Sequence, residues 1–157
     1  MKKIAIIGSG PTGIYTFYSL LNNAAPLSIT VFEKADQPGV GMPYSDEDNS
    51  RLMLANIASI EIPPIFITYL DWLKQQSEAH LARYNVDKDR LNERQFLPRI
   101  LLGEYFHDRF LAVVAEAKKA GFHIEVHPNA EVTDIKADAD GVALSVNDAP
   151  FSRRFDL

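Results

Sequence analysis

The sequence contains no cysteine. That absence excludes a disulfide framework, a cysteine nucleophile and a thiolate metal site. Positive charge is in short supply: 16 Lys and Arg stand against 21 Asp and Glu, a net charge of −5, so nucleic-acid binding gains no support. No apolar run approaches the ~20 residues needed to span a bilayer, and no membrane role is expected. Met1-Lys2-Lys3-Ile4 resembles the start of a secretory leader for three residues only; neither an apolar h-region nor an A-x-A-like cleavage site follows, and a cytoplasmic location is expected. Histidine is sparse as well: His80, His107, His123 and His127. The last two stand four apart in a strand-like segment without a third ligand, so no metal site is expected. Internal repeats and low-complexity segments are absent. What is present is ordinary for a globular protein, with 46% hydrophobic and 24% charged residues. A chain of 157 residues is long enough for one domain with a real core.

The informative feature is Gly8-Ser9-Gly10-Pro11-Thr12-Gly13. The apolar run Ile4-Ala5-Ile6-Ile7 precedes it, and a helix-like segment over Ile14–Leu21 follows. A second strand-like run, Leu27–Phe32, ends in Glu33, 20 residues past Gly13. Strand, glycine turn, helix, strand and acid form the arrangement a dinucleotide needs. Gly8 permits the tight turn, Gly10 lets the backbone approach a pyrophosphate, and Gly13 lets the helix pack close to the strand. The helix N-terminus offers unpaired N–H groups to the phosphates. Glu33 falls where a carboxylate accepts hydrogen bonds from an adenosine ribose; the competing reading is a solvent-facing strand-end carboxylate. Pro11 fits the first helical position, where its missing N–H costs little. Phe17 departs from the usual fingerprint, which has a small residue four past the third glycine, and predicts looser or differently angled helix–sheet packing.

Residues 34–65 read as irregular, with a turn-rich stretch Gln37–Tyr44, a polar one over 45–50 and a Pro63-Pro64 break. Such a long ordered loop is usually functional. The Asp46-Glu47-Asp48 run reads as a solvated loop. Thr68 or a neighbour starts a helix whose Tyr69, Trp72 and Leu73 read as core. Arg83–Arg94 is highly charged and reads as a solvent-facing connection. A long helix is expected near residues 99–120, stopped by Gly121 after Lys118 and Lys119. Strand signals follow at 123–127, 131–136 and 142–146, the last two joined by a hairpin turn at Asp140-Gly141. The fold class is α/β and Rossmann-like, with an incomplete parallel sheet and a β-hairpin or meander packed on it. Segment 123–127 is expected beyond the second strand, leaving the far edge of strand 4–7 bare. Phe155-Asp156-Leu157 reads as the start of another strand there, so residues 1–157 are expected to be the N-terminal part of a longer domain.

Five motifs carry a resemblance across essentially all 157 residues. They are Ile6–Gly13, Val31-Phe32-Glu33, Gly39-Val40-Gly41-Met42-Pro43-Tyr44, Leu54-Ala55-Asn56-Ile57 and Pro98–Tyr105. The chain resembles the N-terminal part of an FAD/NAD(P)-binding family of uncharacterised bacterial flavoproteins. The first two motifs are shared by hundreds of flavoproteins; the last three are far more specific. Family members run to several hundred residues and continue past an Asp-Leu like Asp156-Leu157 into a strand ending Ala-Thr-Gly-His. The family is distantly similar to flavin N-hydroxylases.

The resemblance implies FAD rather than free NAD at the first glycine motif, with NAD(P)H as reductant. Its cofactor-binding residues would be Gly8, Gly10, Pro11, Thr12, Gly13, Glu33 and Lys34, then Gly39, Gly41 and Tyr44 in a segment that wraps the pyrophosphate and ribityl chain. Asn56 would meet the flavin ring or phosphate, or serve as a structural loop amide. Arg99 would meet a phosphate or ribose, or form a surface ion pair with Glu104 or Asp108. Val132 would hold the adenine through its main chain. No residue pair has the spacing of an acid/base or nucleophilic couple, so none is assigned a catalytic role. The expected function is an FAD-binding, NAD(P)H-dependent oxidoreductase acting on an unidentified small molecule, with this portion alone inactive. Two alternatives stay open: a non-catalytic nucleotide-binding or redox-sensing module, and an NAD-binding dehydrogenase domain. The isolated chain is expected to purify without stoichiometric flavin and to self-associate through its strand edge.

Overall fold

A computed structural model describes residues 1–157. Strand β1 (Lys3–Ile7), helix α1 (Pro11–Leu20) and strand β2 (Ser28–Phe32) form a βαβ unit with parallel strands, Lys3 opposite Ser28 and Ile7 opposite Phe32. Strand β3 (His123–His127) joins β2 in parallel, so the sheet order is β1-β2-β3, as the strand pattern required. A second, antiparallel sheet is a meander of β4 (Val132–Asp138), β5 (Gly141–Val146) and the short β6 (Ala149–Pro150). Asp140-Gly141 marks the first of its turns; the short β6 gave no sequence signal.

Pleating sends alternate residues of the parallel sheet to opposite faces. Ile6, Ile29, Val31 and Ile124 face the helical side in a core of 25 buried residues, and the half-buried Ile4 and Val126 pack against it from the same face. Ala5 and Phe32 face the meander, where Phe32, Ala130, Leu144 and Phe155 form a second cluster of 4. Sheet β1-β2-β3 therefore sits between a helical layer and a β layer. Strand β1 is less enclosed than its apolar sequence suggests. Ile6 is buried, but Ile7, at the mouth of the glycine turn, is 48% exposed.

Helix α2 (Tyr69–Gln75) starts where Thr68 Oγ1 accepts the Asp71 N–H at 3.0 Å, and α3 (Glu78–Ala82) is capped in the same way by Ser77. Helix α4 (Arg99–Lys119) crosses the sheet and ends in Lys118 and Lys119, with Gly121 at φ +85° behind them. Tyr105 of α4 is the centre of an aromatic group with Tyr69, Trp72 and Phe106, and its hydroxyl donates to the Ile67 carbonyl at 3.0 Å. The core assignment of Tyr69, Trp72 and Leu73 holds. Segment 83–94 is less exposed than its charge suggests, because Tyr84 and Val86 turn into the core. Phe17 is fully buried edge-on to Phe110, ring centroids 6.3 Å apart. Its bulk fills the seam between α1 and α4, while the helix stays tight on the turn at Gly13.

The far edge of β1 carries the last residues of the chain. The Ala5 N–H donates to the Leu157 carbonyl at 2.9 Å, the Asp156 N–H donates to the Lys3 carbonyl at 2.8 Å, and the Leu157 N–H reaches the same carbonyl at 3.4 Å. One residue bridging positions 3 and 5 is the pattern of a parallel pair. Arg153 fastens this segment. Its guanidinium donates to both Glu125 oxygens, at 2.8 and 2.5 Å, and to Thr30 Oγ1 at 2.8 Å, and lies over the rings of Phe151 and Phe155.

Candidate functional site: a glycine turn, a buried acid and a second glycine loop

The β1–α1 turn has the close approach that its sequence implied. A Cβ added at Gly13 would lie 2.1 Å from the Gly8 carbonyl oxygen, so only glycine lets the first turn of α1 sit on the strand end. Gly8 has φ +86° and donates its N–H to the Phe32 carbonyl at 2.8 Å, which locks the turn to β2. Pro11 is the first residue of α1. The N–H groups of Gly10, Thr12 and Gly13 donate to no protein acceptor, while the Ile14 N–H is the first to make a helical bond, to Gly10 at 3.0 Å. Unpaired donors at a helix start, aided by the positive end of the helix dipole, suit an anionic oxygen.

Glu33, directly after β2, lies beside this turn and is 8% exposed. Its Oε2 accepts the Ser9 N–H at 2.9 Å and the Ser9 hydroxyl at 2.7 Å; its Oε1 accepts the Ala35 N–H at 3.0 Å. Burial raises the carboxyl pKa, but the Ala35 N–H, the two Ser9 donors and the Lys34 N–H together outweigh it and hold the group below its ordinary value. Glu33 is therefore an ionised acceptor. A carboxylate has about four lone-pair sites; the Ser9 and Ala35 donors take three, the Lys34 N–H also faces the group, and a ligand hydroxyl would share the acceptor capacity that remains. The solvent-facing alternative does not describe this residue.

The second glycine loop touches the first. Gly39 (φ +95°) donates its N–H to Ser9 Oγ at 2.8 Å, and a Cβ there would meet Phe110 Cβ at 2.8 Å. A Cβ on Gly41 would lie 3.1 Å from Gly10 Cα, and one on Gly10 would lie 3.4 Å from Gly41 Cα. Gly10 thus allows the two loops to meet at the mouth of the turn. Tyr44, in a 3-10 turn over Met42–Tyr44, packs against Phe106, and its carbonyl covers Gly103 of α4. A cleft of about 360 Å³ opens between this loop and α4, with Glu33, Lys34, Gly41 and Tyr44 among its lining. Lys34 is exposed at its rim.

Three candidates stand apart from that cleft. Asn56 is exposed and makes no hydrogen bond. Arg99 Nε donates to the Leu54 carbonyl at 3.1 Å, while its N–H donates to Met53 at 2.8 Å, so it clips loop 53–54 to the start of α4. It forms no pair with Glu104 or Asp108. Glu104 holds His80 at 2.5 Å together with the Tyr84 hydroxyl, and Asp108 accepts the Trp72 indole N–H at 2.8 Å. Val132 opens β4 and packs on the Phe32 cluster. His123 and His127 flank Glu125 at 3.0 and 3.3 Å, and no group of three or more His, Cys, Asp or Glu is arranged to hold a metal ion. No helix is long and apolar enough to cross a membrane. Sequence reasoning missed Ser9, whose only signal was its place between two motif glycines, two residues before Pro11.

Comparison with known proteins agrees with this geometry. A family model described as FAD-NAD(P)-binding matches residues 5–156. The chain belongs to that family. It is 59% identical over all of its 157 residues to the uncharacterized protein YdhS of Escherichia coli (strain K12), and spans 29% of that protein's length. Among solved structures, S-allyl-L-cysteine S-oxygenase from Allium sativum superposes with a TM-score of 0.55 at 18% identity, over 99% of this chain and 35% of that one. The ornithine N-hydroxylase of Kutzneria sp. 744, solved with reduced FAD, NADP+ and L-ornithine, gives 0.50 at 17% identity, over 96% of this chain and 34% of that one. At those identities the likeness is one of fold. The residues in place fit the family's cofactor: free N–H donors at a helix tip for a diphosphate, and an ionised carboxylate beside them for a sugar.

Proposed function

We propose that this chain is the dinucleotide-binding part of an FAD-dependent oxidoreductase that draws its electrons from NAD(P)H. The observation that carries the reading is the pairing of three unsatisfied N–H groups at the start of α1 with the buried, ionised Glu33 beside them. The N–H groups of Gly10, Thr12 and Gly13 would hold the diphosphate, and Glu33 would accept from the adenosine ribose. Loop 39–44, pressed on Gly10, would keep water from the diphosphate. Asn56 and Arg99 would meet the flavin half, and the main chain at Val132 the adenine. Bound FAD supplies hydride transfer between a nicotinamide and a substrate. This chain's own residues bind and orient; none of those named is placed to move a proton. That last point also favours a second reading, a nucleotide-binding module without turnover.

Titration of the 157-residue chain with FAD, NAD+ and ADP, followed by flavin fluorescence and calorimetry, tests the cofactor. Binding of FAD and ADP with weaker NAD+ binding is expected; failure to bind any of the three ends the proposal. Anaerobic NAD(P)H titration of the longer polypeptide separates the two readings. Bleaching of the flavin spectrum supports the oxidoreductase, and an unchanged spectrum supports the module.

A further inference from the structure

We infer that Ser9 is a positioning residue that couples the sugar-binding acid Glu33 to the loop carrying Gly39 and Gly41, so that both grip a dinucleotide as one unit. The inference rests on the cofactor reading above and adds a residue to it. Ser9 is fully buried. A hydroxyl has one proton to give and two lone pairs to receive with. An amide N–H can only donate, so the Gly39 N–H at 2.8 Å fixes the Ser9 oxygen as acceptor on that side. The hydroxyl proton then points to Glu33 Oε2 at 2.7 Å, which also receives the Ser9 N–H. The chain of bonds has one direction: Gly39 N–H to Ser9 Oγ, Ser9 O–H to Glu33. It favours an ionised Glu33, because each protein group bonded to the carboxyl is a donor.

The coupling joins three segments far apart in sequence. Ser9 lies in the first glycine turn, Glu33 at the end of β2 and Gly39 in the second glycine loop. Without the hydroxyl, the Gly39 N–H loses its partner, and a buried donor without an acceptor is costly. A Cβ built on Gly39 would lie 2.8 Å from Phe110 Cβ and 2.9 Å from His107 Cα, so α4 stands close behind this backbone and leaves it little room to seek another acceptor. The loop must then shift at Gly41, where it meets Gly10. Ser9 thereby sets the width of the mouth that a diphosphate enters.

The test follows the Glu33 side chain and the Gly39 amide by NMR through a pH titration of the 157-residue chain, for wild type and Ser9→Ala. The other ionisable groups near the two probes are Lys34, Asp36, Tyr44, the Asp46-Glu47-Asp48 run, Tyr84 and Glu104 in the cleft, and His107, whose Nδ1 lies 2.5 Å from the Pro38 carbonyl of the peptide that carries the Gly39 N–H; all are unchanged by the substitution. The difference between the two profiles therefore isolates the hydroxyl. In wild type the Gly39 amide shift is expected to titrate together with Glu33. In Ser9→Ala the Glu33 midpoint should move to higher pH and the Gly39 amide should stop following it. Affinity for FAD should fall about tenfold, the effect of one such hydrogen bond. If Ser9→Ala does not fold, Ser9→Cys keeps the shape with a weak donor and should show the same loss of coupling. A Gly39 amide that ignores Glu33 in wild type overturns the inference while leaving FAD binding standing. Coupled titration in a protein that binds no FAD overturns the cofactor reading and, with it, the role given to Ser9. Equal FAD affinity in wild type and variant overturns the role alone.

Discussion

Replacing Gly13 with alanine probes the turn at its tightest point. An added Cβ would stand 2.1 Å from the Gly8 carbonyl oxygen. An ordinary close carbon–oxygen contact is about 3.3 Å, so α1 and the turn must separate by about 1.2 Å. Two effects oppose each other. Alanine favours a helix over glycine by about 1 kcal/mol. Overpacking costs about 1–3 kcal/mol, and here the obstacle is backbone, which cannot swing aside as a side chain does. With a backbone obstacle the upper half of that cost applies, overpacking wins, and a net loss of about 1–2 kcal/mol is expected, a fall of about 2–8 °C in Tm for a chain of this size. Binding should suffer more. The same displacement carries the Thr12 and Gly13 N–H groups away from their anion, and one charge-assisted bond is worth about 1.5–3 kcal/mol. FAD affinity should drop about 10- to 100-fold. Differential scanning calorimetry gives the first number and fluorescence titration the second. A Gly13→Ala protein that melts and binds like wild type would refute the close-approach argument.

Other perturbations separate the layers and edges of the fold. Phe17→Ala empties the fully buried seam against Phe110 and should cost about 3–5 kcal/mol in urea unfolding, with the m-value unchanged. Gly39→Ala combines φ +95° with a Cβ 2.8 Å from Phe110 Cβ, and should lower both stability and FAD affinity; a stable variant with normal affinity would contradict the loop's placement. Glu125 is held down to about 2, first by the Arg153 guanidinium, against an ordinary value of 4.5. Its contribution to stability is complete above pH 4.5 and is lost as pH falls through 2. Glu125→Gln should flatten the acid limb of a Tm–pH curve in that window, and an unaltered limb would show that Arg153 does not fasten the sheet. The edge of β1 beyond Ala5 is unpaired, because odd-numbered residues of β1 face away from β2 and Leu157 covers only Lys3 to Ala5. We expect concentration-dependent association of the 157-residue chain and substoichiometric flavin after purification; light scattering showing a yellow monomer would exclude both.

The framework was legible in the sequence because it rests on local rules. Apolar strands, a glycine turn and Pro11 specify the βαβ unit, and helical periodicity with a glycine stop specifies α4 within a residue or two. The hairpin announced itself through Asp140-Gly141. Long-range geometry was less accessible. Ile7 reads as a buried strand residue but sits at an open mouth, and Tyr84 lies in a charged stretch yet turns inward. Short elements such as α3 and β6 carry too few residues to show a period. Within the site, the glycines and Glu33 were readable because each answers to backbone conformation or charge. Ser9 was not, because its importance depends on Gly39, 30 positions away. Arg99 illustrates the converse: a guanidinium near carboxylates in sequence finds a loop carbonyl in space instead.

The parallel sheet divides the interior very unequally, with 25 buried residues on the helical side and 4 beneath the meander. Cooperative protection from solvent exchange tracks how much apolar surface a unit shares with its neighbours. Amide protons of β4, β5 and β6 should accordingly trade with deuterium well ahead of those in β2 and α4. The meander is then a cover that lifts while the rest of the molecule stays closed.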